Sequence, residues 1–215
     1  MEYLHGEQIM DDRTPSRKGT PPPLKTKKTV TDRSNLSPQH IQLLIESARS
    51  VGRCGLRDST LILMTYRHAL RVGEVISLTW NQISLENNQL QVKRLKGGSP
   101  SIHKMQTDEM SWLMQLRQRK PNSDIVFVSE RNGSLTRRAV HNIIARAAKT
   151  AGIPFHVHPY MLRHARGYEL GAEGLSVKDI QEYLGHRNVQ HSIGYASDLN
   201  ARVDAEDYAV SDLQS

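Results

Sequence analysis

Residues 184–195 read LGHRNVQHSIGY. Leu184 closes an apolar pattern with Val177 and Ile180 that predicts a helix, Gly185 stops it, and His186 follows the stop. Tyr195 stands nine positions further on, on a last predicted helix from about residue 188 that also carries Val189 and Ile193. That offset leaves room for a turn and two helical turns, so the imidazole and the phenol can face one cleft. A tyrosine so placed is a candidate nucleophile toward a phosphodiester, provided the rest of the chain supplies positive charge around it.

Three upstream stretches supply it: ALRVGE (69–74) with Arg71, RLKGG (94–98) with Lys96, and HPYMLRH (158–164) with Arg163. Cutting a phosphodiester with a phenol needs a nucleophile, a clamp for the charged transition state and an acid for the leaving 5′ oxygen. An unperturbed tyrosine has a pKa near 10, so holding it as phenolate at pH 7 costs about 4 kcal/mol unless neighbours help. Guanidinium groups are suited to that help, because they are permanently charged and bind non-bridging oxygens two at a time. Arg71 precedes Glu74 by three, which on a helix lets the carboxylate hold the guanidinium in one orientation. Arg163 lies near the start of a helix expected from Pro159, where free amides and the helix dipole also favour a phosphate. Lys96 falls at a predicted hairpin tip, from which an ammonium can protonate a leaving oxygen, and His186 can donate to the phosphate.

Each of these residues has an ordinary reading of its own. A lone tyrosine on a helix is usually core or rim, an arginine a surface ion-pair partner, a lysine in a Gly-rich turn solvated, and a histidine after a helix stop structural. Their conjunction, in this order and on compatible elements, is what singles them out.

The flanking patterns predict a fold that is α+β, predominantly α-helical. Ser37-Pro38 starts a helix with Ile41, Leu44, Ile45 and Ala48 on one face, and LILM marks a buried helix over about 57–68. A short helix from Arg71 turns Val75, Ile76 and Leu78 inward. From Asn81 to Met105 the chain alternates between turns, at Asn87-Asn88 and over 96–99, and short extended segments, giving a small antiparallel three-stranded sheet. Met110, Leu113, Met114 and Leu116, then Val140, Ile143, Ile144 and Ala147, predict two core-facing helices separated by the apolar DIVFVS, and a further helix runs from Pro159 to a stop at Gly171 or Gly174.

Composition narrows the class. The chain of 215 residues carries a formal charge of +7, divided as +2 over residues 1–36, −4 over 197–215 and +9 between, so the basic excess sits in the part expected to fold. Residues 1–36 mix prolines with Lys, Ser and Thr and read as a flexible basic arm whose KTKK run adds nonspecific phosphate affinity, and residues 197–215 read as an acidic tail. The single cysteine, Cys54, excludes an internal disulfide and a cysteine-based zinc site and reads as a buried structural thiol. His156, His158 and His164 lie close in sequence without a carboxylate or cysteine to complete a metal site, and His164 reads as a buried hydrogen-bonding histidine. No apolar run approaches a membrane span or a signal peptide core, which predicts a cytoplasmic, nucleoid-associated protein without a membrane partner.

Across about residues 37–196 these motifs resemble the catalytic domain of the tyrosine recombinases, the phage-integrase family. The resemblance implies a catalytic set of Arg71, Lys96, Arg163, His186 and Tyr195, attack by Tyr195 to give a 3′-phosphotyrosyl intermediate with a free 5′ hydroxyl, and strand exchange through a Holliday junction. It implies double-stranded DNA recombination sites as substrate, a homotetramer on DNA, accessory DNA-bending proteins as further partners, and no nucleotide or metal cofactor. The family's His-x-x-Arg box reads YMLR here, with Tyr160 in place of the histidine and His158 two residues earlier. Tyr160 can donate a hydrogen bond to phosphate and takes its place in the expected site, but it is a poorer proton acceptor than histidine at neutral pH. With only an arm expected before the catalytic domain, the layout resembles the short fimbrial phase-variation invertases, which makes inversion plausible beside integration and excision by a mobile element. Two other readings share the DNA affinity: a type IB topoisomerase, which usually brings a larger clamp, and a DNA-binding regulator that occupies recombination sites without cutting.

Overall fold

The computed structural model describes residues 35–94 and 100–195. The expected arm, the acidic tail, the KTKK run, the second sheet turn and Lys96 lie outside the described residues.

Helix α1 (Pro38–Ser50) starts where proline pre-sets the first turn, and the Ser37 hydroxyl accepts the His40 amide at 3.3 Å. It packs on α2 (Gly55–Arg67), the central helix, which also meets α4 (Thr107–Arg119) and α6 (Pro159–Ala172). Helix α3 (Val72–Ile76) follows, then a 3-10 turn (Trp80–Gln82) and the sheet of β1 (Ile83–Ser84), β2 (Gln89–Val92) and β3 (Ser101–Lys104), antiparallel in the order β1-β2-β3. Leu90 pairs with His103 and Val92 with Ser101. Helices α5 (Arg137–Thr150) and α7 (Val177–Leu184) complete the numbered set, and residues 190–195 are helical. The fold is thus predominantly helical with one small three-stranded sheet, as the hydrophobic periods require.

One apolar core joins α1 to α6 around Leu44, Leu61, Ile62, Met64, Phe127 and Leu162. A second, smaller cluster gathers Ala69, Leu170, Ile180, Leu184 and Tyr195 where α6 and α7 meet the end of α2.

Several local expectations are corrected. Helix α2 begins at Gly55, two residues early, because the glycine lets its backbone lie against the end of α1: a Cβ there would fall 2.1 Å from the Arg49 carbonyl oxygen. Cys54 is the residue capping that start and is only half-buried. On α4, Met114 is 49 % exposed, whereas Glu109 joins Leu113 and Leu116 on the buried face. The carboxylate is tolerated there because it accepts the Gln106 amide at 2.6 Å and lies 3.0 Å from His68 Nε2. Ile193 is exposed on the last helix, and Val189 is exposed in the turn before it. His164 is half-buried and packed among the tyrosine rings described below.

Candidate active site

The site is built at the end of α2. The Ala69 amide donates to the Tyr66 carbonyl and Leu70 to Thr65, closing the helix with Ala69 at φ +48°. A left-handed alanine costs about 1 kcal/mol, and it directs the Ala69 carbonyl to where it accepts from Arg163 Nη1 at 2.5 Å and from Arg94 Nη1 at 3.4 Å. Arg71 then caps α3. Its amide donates to Glu74 Oε2 at 2.9 Å and its Nη1 to Glu74 Oε1 at 2.8 Å, the orientation expected from the three-residue spacing.

Helix α7 supplies the opposite wall. Ser176 caps its start, accepting the Asp179 amide, and Gly185 at φ +62° ends it. The last carbonyls of a helix have no intrahelical partner and carry the negative end of its dipole. Here three consecutive ones each receive a different guanidinium: Tyr183 from Arg94, Leu184 from Arg163 and Gly185 from Arg71.

This packing sets the electrostatics. Burial, with Arg71 and Arg94 nearby, brings Arg163 down to about 10, so it stays charged at pH 7. Burial pushes His186 down to about 4, and the positive charges of Arg163 and Arg71 add to that, so the imidazole is neutral at pH 7. Its Nδ1 lies 2.9 Å from the buried Ser192 hydroxyl, which fixes the ring. Glu74 remains ionised: burial would raise it, but the Arg71 amide and the Arg94 and Arg71 guanidinium groups hold it below the usual carboxylate range.

Tyr195 is 4 % exposed. Its ring centroid lies 5.1 Å from those of His164 and Tyr168, and it is roughly parallel to the His186 ring at 6.4 Å. Burial pushes the phenol above its ordinary pKa, and Tyr160 beside it adds to the rise while Arg163 opposes it. Tyr160, 56 % exposed on the first turn of α6, stands beside that phenol.

The structure therefore brings Arg71, Tyr160, Arg163, His186 and Tyr195 to one place. It revises one detail: Arg163 is 2 % exposed in the second turn of α6 and braces Ala69 and Leu184, rather than projecting beside the helix start. Sequence reasoning missed two members of the cluster. Arg94 continues the alternation of Leu90 and Val92 on the inward side of the β2 strand, and a charge at an inward position was the available signal. Gly167 stands unexplained in the middle of a predicted helix, the mark of a close approach.

Comparison with known proteins agrees with this architecture. The family model described as Phage integrase family matches residues 34–202. The chain is 34 % identical over 179 residues to the type 1 fimbriae regulatory protein FimE of Escherichia coli K12, covering 80 % of this chain and 90 % of FimE. It is 30 % identical over 196 residues to the tyrosine recombinase XerD of Vibrio cholerae, covering 87 % of this chain and 63 % of XerD. Among solved structures, the XerA recombinase superposes with a TM-score of 0.70 at 25 % identity, over 80 % of this chain and 64 % of XerA. A post-cleavage complex of the XerH site-specific recombinase with DNA shares the fold at a TM-score of 0.69 and 21 % identity, over 80 % of this chain and 52 % of XerH. This chain thus spans about half to two thirds of the Xer proteins and nearly the full length of FimE. From the motifs at their spacings, the fold and these similarities together, the chain belongs to the phage integrase family of tyrosine recombinases.

Proposed function

We propose that this protein is a site-specific DNA recombinase that cuts and rejoins duplex DNA through a 3′-phosphotyrosyl intermediate on Tyr195. The observation that carries the reading is the convergence of Arg71, Arg163, His186 and Tyr195, from three separate stretches of chain, on the end of α7.

In the proposed step Tyr195 Oη attacks phosphorus, a P–O bond to the phenol forms and the bond to O5′ breaks. Arg71 and Arg163 neutralise the charge that gathers on the non-bridging oxygens. Neutral His186 donates a hydrogen bond to one of them, Tyr160 donates another, and Lys96 gives a proton to the leaving 5′ oxygen. The phenol proton passes to water or to an imidazole beside it. Attack by a 5′ hydroxyl on the phosphotyrosine reverses the step and seals the strand. Burial holds the Tyr195 phenol protonated in the DNA-free protein, so engagement of the phosphate by the arginines is what favours the nucleophilic form.

The similarity to Xer recombinases and to FimE supports recombination of duplex DNA; on this reading the protein acts as a tetramer at paired sites, with DNA-bending proteins as accessory partners and inversion as the favoured outcome. The +9 charge between residues 37 and 196 supports DNA affinity that weakens steeply with salt.

The test is covalent capture. The protein is incubated with sheared genomic DNA, denatured and digested, and the peptides are searched by mass spectrometry for a nucleotide adduct on Tyr195. An adduct absent from Tyr195→Phe is the expected result, with Arg163→Ala reducing both adduct and binding. Cleavage that survives Tyr195→Phe overturns the mechanism.

A further inference from the structure

Arg94 holds an enclosed guanidinium: its side chain is 0 % exposed, against 31 % for Arg71. Its Nη1 donates to Glu74 Oε2 at 3.0 Å and approaches the Ala69 carbonyl at 3.4 Å, while Nη2 donates to the Tyr183 carbonyl and approaches that of His68 at 3.5 Å. Its aliphatic stem lies against Gly185, where a Cβ would fall 2.7 Å from Arg94 Cγ. One side chain thereby touches the carboxylate that orients Arg71, the carbonyl that anchors Arg163 and the helix end that presents His186.

That arrangement is a poor way to gain stability. A guanidinium taken wholly out of water costs more than an apolar side chain of similar volume, and Arg94 Nε has no hydrogen-bond partner among the described residues. What the arrangement does provide is geometry. Glu74 Oε1 accepts from Arg71 Nη1, and Oε2 accepts from both the Arg71 amide and Arg94 Nη1, so the carboxylate cannot rotate without breaking a buried contact. Without Arg94, Glu74 Oε2 loses the guanidinium that ties it to the β2 side of the site and α7 loses the donor at Tyr183, so Arg71 and His186 are held less tightly. Displacement of a catalytic group by about 1 Å can cost on the order of 100-fold in rate.

We propose that Arg94 is a positioning residue for recombination: it makes no contact with DNA and instead locks Glu74 and the end of α7 so that Arg71, Arg163 and His186 share one phosphate. The proposal rests on the phosphotyrosyl reading above. It assigns Arg94 a role in the rate of cleavage, separate from binding.

The experiment uses the full chain and nicked duplexes carrying the captured DNA site, compared for wild type, Arg94→Met, Arg94→Lys and Arg71→Ala. Two scissile groups are used: the normal phosphate, and a methylphosphonate, which lacks the oxyanion that the arginines neutralise. For Arg94→Met we expect single-turnover cleavage to fall roughly 100-fold with DNA affinity within about threefold of wild type. The methylphosphonate is expected to recover most of that loss, as is also expected for Arg71→Ala, and Arg94→Lys, which keeps one charge on Glu74, to cut at an intermediate rate. A purely structural role would lower affinity, melting temperature and cleavage together, with no recovery on the methylphosphonate. That pattern, or an Arg94→Met variant cutting like a wild type that does cut, overturns the proposal and leaves the phosphotyrosyl reading standing. If Arg94→Met fails to fold, Arg94→Lys alone decides: reduced cleavage with recovery supports the proposal, and unchanged cleavage overturns it. A wild type that forms no adduct overturns the reading and the proposal with it.

Discussion

Gly167 lies directly beneath the ring of Tyr195, so close that a Cβ on residue 167 would come within 2.7 Å of Cε1 and 2.8 Å of Cζ. The middle of α6 therefore serves as a flat seat for the phenol. Elsewhere in a helix the change from glycine to alanine is favourable by about 1 kcal/mol. Here the same methyl must push the ring aside. Gly167→Ala is expected to leave the melting temperature within a few degrees while reducing covalent capture at Tyr195 at least tenfold, by about 1.4 kcal/mol of transition-state stabilisation or more. Capture on a nicked duplex measures it, and an unchanged rate would show that the seat does not set the nucleophile's position.

Glu74 is the carboxylate shared by Arg71 and Arg94. Replacing it with glutamine leaves two guanidinium groups around a neutral amide, and the loss expected for a broken buried ion pair is about 3 kcal/mol, read by urea unfolding. The pH dependence has a definite sign. The folded pKa lies below the ordinary 4.5, so the stabilisation by Glu74 is complete above pH 4.5 and is lost as pH falls below it toward the folded value. The wild-type stability should decline over that range more steeply than that of Glu74→Gln.

His186 titrates at about 4 in the DNA-free protein, well below its ordinary 6.5. The unfolded chain takes up this proton first, so the contribution of His186 to stability is full above pH 6.5 and is lost between 6.5 and 4. Following the His186 ring signals by NMR should give a midpoint near 4, and a midpoint at 6.5 would mean the ring is not buried beside the arginines. A bound phosphate adds negative charge beside the imidazole, so DNA binding is expected to raise the midpoint.

Tyr160 stands beside the phenol of Tyr195 at the exposed start of α6. Tyr160→Phe keeps the ring and removes the donor, and single-turnover cleavage is expected to fall about tenfold with binding retained, less than the loss of a full general acid or base. Tyr160→His restores a donor that can also accept a proton, and should cut at least as fast as wild type. Complete loss in Tyr160→His would contradict the view that Tyr160 does the work of a histidine.

The helices and the small sheet were legible in sequence because each depends on local patterning, and all six proposed site residues were named from sequence, Tyr160 through the family resemblance alone. Periodicity places Ile41, Leu44 and Ile45 inward on α1, a serine and a proline start it, Gly185 stops α7, and the three-residue spacing of Arg71 and Glu74 puts them in contact on any helical turn. Arg163 and His186 carried their signal in the residues beside them, and Lys96, the sixth, lies outside the described residues.

Tertiary structure decided what depends on residues far apart in the chain. That Arg94, Arg163 and Arg71 meet the carbonyls of Tyr183, Leu184 and Gly185 in turn joins positions separated by 89, 21 and 114 residues. No local period encodes which carbonyl a guanidinium will find. The burial of Glu109 in place of Met114 and the seat that Gly167 makes for Tyr195 have the same origin. Sequence patterning determines which face of each element turns inward, because apolar burial is roughly proportional to area and indifferent to partner. The pairing of buried charges and rings is directional and acts at short range, so it is settled only when the packed helices bring those groups together.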